Sequence, residues 1–115
     1  MKFSDLKFEP HRLSRDVETH PESVFDEFRN ITAARVNFPN GYGASILNGD
    51  CFNSERDISY ELAVMEVADP VEGTLYGPIY DTPITDDVLG YLTPEQVEEV
   101  LAQIEALPPV DYKPI

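Results

Sequence analysis

Carboxylates are the chemically most informative side chains of this sequence, and four of them fall close together near its end. Glu95, Glu98, Glu99 and Glu105 lie within residues 93–107, a stretch without lysine or arginine. Side chains three or four residues apart on a helix are neighbours. A helix here would present a row of negative charges at a spacing comparable with that of successive phosphates on a nucleic-acid strand. Two interpretations stay open: a solvated face that keeps the protein soluble, or a surface that binds a cationic partner.

A second acidic cluster precedes this stretch and comprises Asp81, Asp86 and Asp87, with Thr82 and Thr85 between them. Such oxygen atoms are typical calcium ligands, but the alternating pattern of a calcium loop with its central glycine is missing. Acidic residues are also favoured in the first turn of a helix, where they stabilise its dipole. We therefore expect helix capping or an extension of the acidic surface, and no metal site.

The residues that usually perform catalysis are scarce and poorly placed. His11 and His20 are nine residues apart with no cysteine nearby, which is not a zinc-binding spacing. Cys51 is the only cysteine, so an intrachain disulfide is excluded. There is no nucleophile elbow, phosphate-binding loop or dinucleotide fingerprint. We expect a non-enzymatic protein without a cofactor; an enzyme that uses carboxylates or tyrosines is the remaining alternative.

The net charge of −14 is concentrated in the second half of the chain. Residues 57–115 contain thirteen acidic residues and one basic residue, Lys113, for a net charge of −12. Such a field repels nucleic acid and anionic membranes and attracts basic protein surfaces. No apolar run is long enough for a membrane helix, and the first residues lack the apolar core of a secretory signal. The sequence therefore predicts a cytoplasmic protein whose partner is a protein with a basic surface.

Tyrosines supply a second type of candidate contact. Five of them fall near turns or element ends, where tyrosine serves either as an interface anchor or as an ordinary packing residue: Tyr42, Tyr76, Tyr80, Tyr91 and Tyr112. Of these, Tyr91 is grouped with the acidic residues as a candidate partner-binding residue.

The elements that must position these residues are indicated by hydrophobic periodicity. Residues 1–22 have no sustained period and are predicted to form an arm, followed by a single domain over residues 23–115. Four apolar side chains of the arm are available to pin it onto the core or a partner: Phe3, Leu6, Phe8 and Leu13. A short helix is predicted to open near Pro21, because proline suits a first helical turn. Its buried stripe would be Val24, Phe25 and Phe28.

Alternation of apolar and polar residues predicts an antiparallel sheet of three or four strands. The first covers residues 34–38, and Pro39–Gly43 has the composition of a hairpin turn. The return strand contains Ala44, Ile46 and Cys51. The clearest strand covers residues 58–65, with its far end apolar on both faces, and residues 75–80 follow as an edge strand because Pro78 lacks a ladder donor.

Helical signals dominate the end of the chain. Thr85 as a cap and Gly90 as a stop predict one or two helical turns between them. Thr93, Pro94 and Gln96 form a capping-box pattern. It opens a helix over residues 93–107 whose apolar stripe is Val97, Val100, Leu101, Ile104 and Leu107. The predicted fold is α+β: a small antiparallel sheet with this C-terminal helix packed on one face and a short N-terminal helix.

Three segments within residues 36–107 resemble small uncharacterised acidic proteins of tailed bacteriophages. They are Phe38–Ser45, Tyr60–Val64 and Tyr80–Thr93. The resemblance implies a bacterial cytoplasm during infection and brings no catalytic residues. Several small acidic phage proteins block host or defence proteins, including CRISPR effectors and restriction enzymes, sometimes by imitating nucleic acid. This implied function rests on an analogy between this chain and those proteins in protein class and net charge.

Together these observations lead to one expectation and one alternative. The expectation is a phage-encoded inhibitor that binds a bacterial host or defence protein at its basic nucleic-acid-binding surface, without binding nucleic acid or membrane itself. The contacts would be Glu95, Glu98, Glu99 and Glu105, flanked by Asp81, Asp86, Asp87 and Tyr91. The alternative is a homodimer or assembly module that uses exposed tyrosines and the sheet edge, with charge serving only solubility.

Overall fold

The computed structural model describes residues 1–10, 31–49, 54–55, 58–69, 74–78, 82–85 and 87–109. These residues form a 3₁₀ turn at Phe3–Asp5, six strands and one helix in the order β1 (Glu9–Pro10), β2 (Thr32–Asn37), β3 (Tyr42–Asn48), β4 (Tyr60–Asp69), β5 (Thr74–Pro78), β6 (Leu89–Leu92) and α1 (Pro94–Glu105). The fold is therefore α+β, with the C-terminal helix packed on an antiparallel sheet, as the sequence predicted.

The sheet has the order β1-β2-β3-β4-β5, and every pairing is antiparallel. β4 is the longest strand and pairs with β3 along one edge. Its other edge is shared, because β6 pairs with Tyr60–Leu62 and β5 pairs with Met65–Asp69. Register shifts, which indicate bulges or other irregularities, mark both of these pairings.

The core lies between α1 and one face of the sheet. The register places Val36, Ala44 and Val64 side by side in one row and aligns Ile46 with Leu62 in the next. Both rows pack against the buried stripe of α1, which consists of Val97, Val100, Leu101 and Ile104. The apolar side chains that recur at helical and strand spacing in the sequence therefore pack against each other in one hydrophobic core.

Most predicted strands are confirmed, with shifted bounds. β2, β3 and β5 correspond to the predicted strands, although Cys51 and Tyr80 lie outside the described residues. Ile58 was wrongly placed in the strand that became β4: its amide donates to the Glu55 carbonyl oxygen in a turn, and its side chain is 66% exposed. Met65 and Val67 are buried on the face opposite α1, which confirms the prediction that the far end of β4 is covered on both sides.

The predicted helical turns between Thr85 and Gly90 are wrong. The Thr85 hydroxyl accepts a hydrogen bond from the amide of Asp87 and donates one to its carbonyl oxygen, which closes a local turn instead of capping a helix. A threonine side chain can make the same short-range hydrogen bonds to the backbone at a helix cap and in a turn. Leu89–Leu92 then forms β6, and together with β1 this strand raises the strand count above the predicted three or four.

The predicted short helix over residues 21–28 lies outside the described residues, as does Leu13. Phe3, Leu6 and Phe8 of the predicted arm pack against the hydrophobic core, and β1 pairs with β2. Of the two roles expected for these side chains, pinning onto the core is the one observed. Within the described residues, no helix has the length and apolar character needed to cross a membrane.

Candidate functional site

The helix α1 positions the candidate acidic residues, and its start is fixed by side-chain bonds. The amide of Gln96 donates to the Thr93 hydroxyl at 3.2 Å, and the amide of Thr93 donates to the Gln96 side-chain oxygen at 2.9 Å. This is the capping box expected from the sequence, with Pro94 at the first helical turn. Because the inner face of α1 is buried, the rotation of the helix about its axis is fixed.

That rotation places the four glutamates on one side of the helix. At 3.6 residues per turn, Glu95, Glu98, Glu99 and Glu105 fall within an arc of about 120°, along about 15 Å of axis. We call this set the glutamate face. Glu95, Glu99 and Glu105 are exposed, and Glu98 is half-buried. The structure therefore brings the predicted carboxylates onto one surface instead of scattering them around the molecule.

Glu98 differs from the other three because it is engaged within the fold. Its carboxylate accepts a hydrogen bond from the backbone amide of Phe3, in the N-terminal 3₁₀ turn. The Phe3 ring packs edge-on against Tyr60, with centroids 4.9 Å apart, and Phe8 lies 5.5 Å from the same ring. The N-terminal turn therefore covers one border of the glutamate face, and the exposed charge lies on Glu95, Glu99 and Glu105.

The C-terminal end of α1 is held by the loop between β2 and β3. The side-chain amide of Asn40 donates to the carbonyl oxygens of Ile104, Glu105 and Leu107, at 2.8, 3.3 and 3.2 Å. The last carbonyl groups of a helix have no partner within it, so Asn40 supplies a donor that the helix lacks. Sequence reasoning identified Asn40 only as a turn residue and missed this contact, because sixty-four residues separate Asn40 from Ile104.

The flanking candidates are only partly described. Asp81 and Asp86 lie outside the described residues. Asp87 is exposed and its carboxylate accepts a hydrogen bond from the amide of Val88 at 2.7 Å. Tyr91 is 58% exposed and has a φ of 54°, in the left-handed region. A bulky side chain is rarely found there, and here it projects from the strand that leads directly into α1.

No group of three or more histidine, cysteine, aspartate or glutamate side chains with metal-binding geometry occurs among the described residues. His11, His20 and Cys51 fall outside that part of the chain. The exposed candidate residues that the structure describes are the carboxylates of Asp87, Glu95, Glu99 and Glu105 and the side chain of Tyr91.

Comparisons with protein-family models, with curated proteins and with solved structures find no match to this chain.

Proposed function

We propose that this protein is a non-enzymatic, phage-encoded inhibitor that acts in the bacterial cytoplasm. It inserts the glutamate face of α1 into the basic nucleic-acid groove of a host or defence protein, such as a CRISPR effector or a restriction enzyme. The observation that carries the proposal is the common orientation of Glu95, Glu99 and Glu105 on a helix whose inner face is buried. A rigid row of carboxylates can replace a phosphate strand without reorganising.

The electrostatics of α1 favour this mode of binding. No basic side chain lies in the helix, so no positive charge within α1 offsets its glutamates. Like charges four residues apart, such as Glu95 and Glu99, destabilise an isolated helix by a few tenths of a kcal/mol. A cationic groove would relieve that repulsion, and electrostatic complementarity would speed the encounter between the partners.

The test uses two variants that remove the same charge from different places. The first changes Glu95, Glu99 and Glu105 to glutamine. The matched control changes Glu9, Glu55 and Glu66 to glutamine, because these lie outside α1. Each variant would be tested for inhibition of DNA cleavage by purified CRISPR effectors and restriction enzymes, and for competition with DNA.

We expect the wild-type protein and the control to inhibit a susceptible enzyme, and the α1 variant to bind at least about tenfold more weakly. That loss corresponds to about 1.4 kcal/mol of binding free energy, which is modest for three charged contacts. Added salt should weaken the wild-type complex by screening it. Equal affinity of the folded α1 variant and the wild-type protein would contradict the proposal.

A second candidate function is a homodimeric assembly module, and two exposed apolar side chains favour it. Ile58 is 66% and Tyr91 is 58% exposed, and they lie close to the pairing of Tyr60 with Leu92. Light scattering separates the candidates. A stable dimer that persists at high salt and dissociates on Tyr91→Ser would support the assembly module, whereas a monomer at all salt concentrations would exclude it.

A further inference from the structure

The loop Pro39–Gly41 contains a chemically reactive dipeptide, Asn40-Gly41. The side chain of Asn40 also holds the C-terminal end of α1 through hydrogen bonds, which we call the latch. The two side-chain N–H groups of Asn40 are shared among three carbonyl oxygens at the C-terminal end of α1, and its side-chain oxygen accepts a hydrogen bond from the amide of Tyr42 at 3.1 Å. The next residue is Gly41, with a φ of 91°. Glycine allows that conformation readily because it has no Cβ. An asparagine followed by glycine is the dipeptide most prone to deamidation.

We propose that Asn40 is a deamidation site, and that loss of its amide irreversibly releases the C-terminal end of α1. The backbone nitrogen of Gly41 forms a bond to Cγ of Asn40 and loses its proton, and the side-chain amide leaves as ammonia. The resulting succinimide ring is opened by water at either carbonyl, which gives aspartate or isoaspartate. The net reaction consumes one water and releases one ammonia, and it needs no oxidant or further reactant.

The product cannot restore the latch. A carboxylate has no hydrogen to donate, whereas all three partners of the lost amide are carbonyl oxygens. The C-terminal end of a helix also carries partial negative charge, and α1 has no basic residue in its last turn to offset a new anion. Isoaspartate would add a backbone atom to the loop as well. The modified loop and the helix end therefore repel each other.

The folded loop restrains the reaction until it opens. The amide of Gly41 donates to the Phe38 carbonyl oxygen at 3.2 Å, and both ends of the Asn40 side chain are held. The nitrogen that must attack and the amide that must leave are thus both occupied. Deamidation should proceed from locally opened molecules, so its rate reports how often the latch releases.

A second Asn-Gly pair in the same chain provides an internal comparison. Asn48 is 5% exposed and donates to the carbonyl oxygens of Glu55 and Ser59, at 3.1 and 2.9 Å. Gly49 is closely packed, since a Cβ there would lie 3.0 Å from Cγ1 of Ile31. Gly41 is buried as well, so the two sites differ in the asparagine itself: Asn40 is half-buried, whereas Asn48 is buried. We therefore expect Asn40 to react first in the folded protein and both sites to react similarly in urea.

The experiment ages the full chain at mildly alkaline pH and maps deamidation and isoaspartate by peptide mass spectrometry. Deamidation should appear at residue 40 before residue 48. The aged fraction and the Asn40→Asp variant should both melt roughly 5–15 °C lower than the unmodified protein. Hydrogen exchange of amides in the last turn of α1 should accelerate at least about tenfold, as expected for losing about 1.4 kcal/mol of local stability.

Two results would overturn the inference. One is conversion of Asn48 while Asn40 stays intact in the folded protein. The other is an aged fraction, modified at residue 40, that keeps the melting temperature and exchange rates of the fresh protein. The aged wild-type sample decides the matter even if the Asn40→Asp variant does not fold. Neither readout depends on the proposed inhibitory function.

Discussion

At the scale of single residues, side-chain bonds to backbone groups of other elements hold the candidate surface in place. Glu98 accepts from the amide of Phe3, and Asn40 donates to the carbonyl oxygens at the end of α1. Thr93 and Gln96 close the start of the same helix. Buried or half-buried backbone groups need such partners when the helix cannot supply them. The exposed glutamates are therefore carried by a helix that is fixed at both ends.

Thr93→Ala tests the N-terminal cap. Loss of the hydroxyl should lower the free energy of unfolding by about 1 kcal/mol, within the usual range of roughly 0.5–2 kcal/mol for capping residues. Urea unfolding followed by circular dichroism measures this change. Thr93→Ser is the matched control, because it keeps the oxygen that accepts the bond from Gln96. Equal stability of the alanine and serine variants would show that the cap contributes nothing.

At the scale of elements, α1 and β6 show how far periodicity predicts structure. The stripe of α1 repeats over three turns and is confirmed by four buried residues. β6 has only four residues, preceded by a threonine-centred turn, and such a segment has too few periods to separate a helical turn from a strand. Its state is decided by β4, because pairing with Tyr60–Leu62 supplies partners for the backbone groups of β6.

Leu101→Ala tests how much the docking of α1 contributes to folding. Leu101 is fully buried between the helix and the sheet, so its truncation should cost about 2–5 kcal/mol in the free energy of unfolding. The midpoint of urea unfolding should fall accordingly. Gln103→Ala, on the exposed side of the same helix, should leave the midpoint almost unchanged. A similar midpoint for the two variants would mean that α1 is not integral to the core.

At the scale of the whole molecule, the large negative net charge is the property that affects both stability and binding. A net charge of −14 on 115 residues places many like charges on one small protein. Self-repulsion of this kind destabilises the compact state and is reduced by salt. Under the proposed function the same charge attracts a basic partner, so stability and binding should respond to salt with opposite signs.

Melting temperatures in sodium chloride test this balance. The screening length falls from about 30 Å at 0.01 M to about 8 Å at 0.15 M. We expect the melting temperature to rise over this range because repulsion between acidic side chains is screened. The variant with glutamine at positions 95, 99 and 105 should show a smaller rise, since three of the charges are gone. A melting temperature that falls with salt would contradict a destabilising role for the net charge.

The periodic elements, the capping box and the acidic character of α1 could be predicted from the sequence, because each depends on neighbours within one short segment. Contacts with distant partners could not be predicted in this way: β6 pairs with Tyr60–Leu62 of β4, the Glu98 carboxylate lies beneath the N-terminal turn, and Asn40 binds the end of α1. Local spacing shows which side chains share a face. The packing of the folded chain shows which of these side chains stay exposed and can contact another molecule.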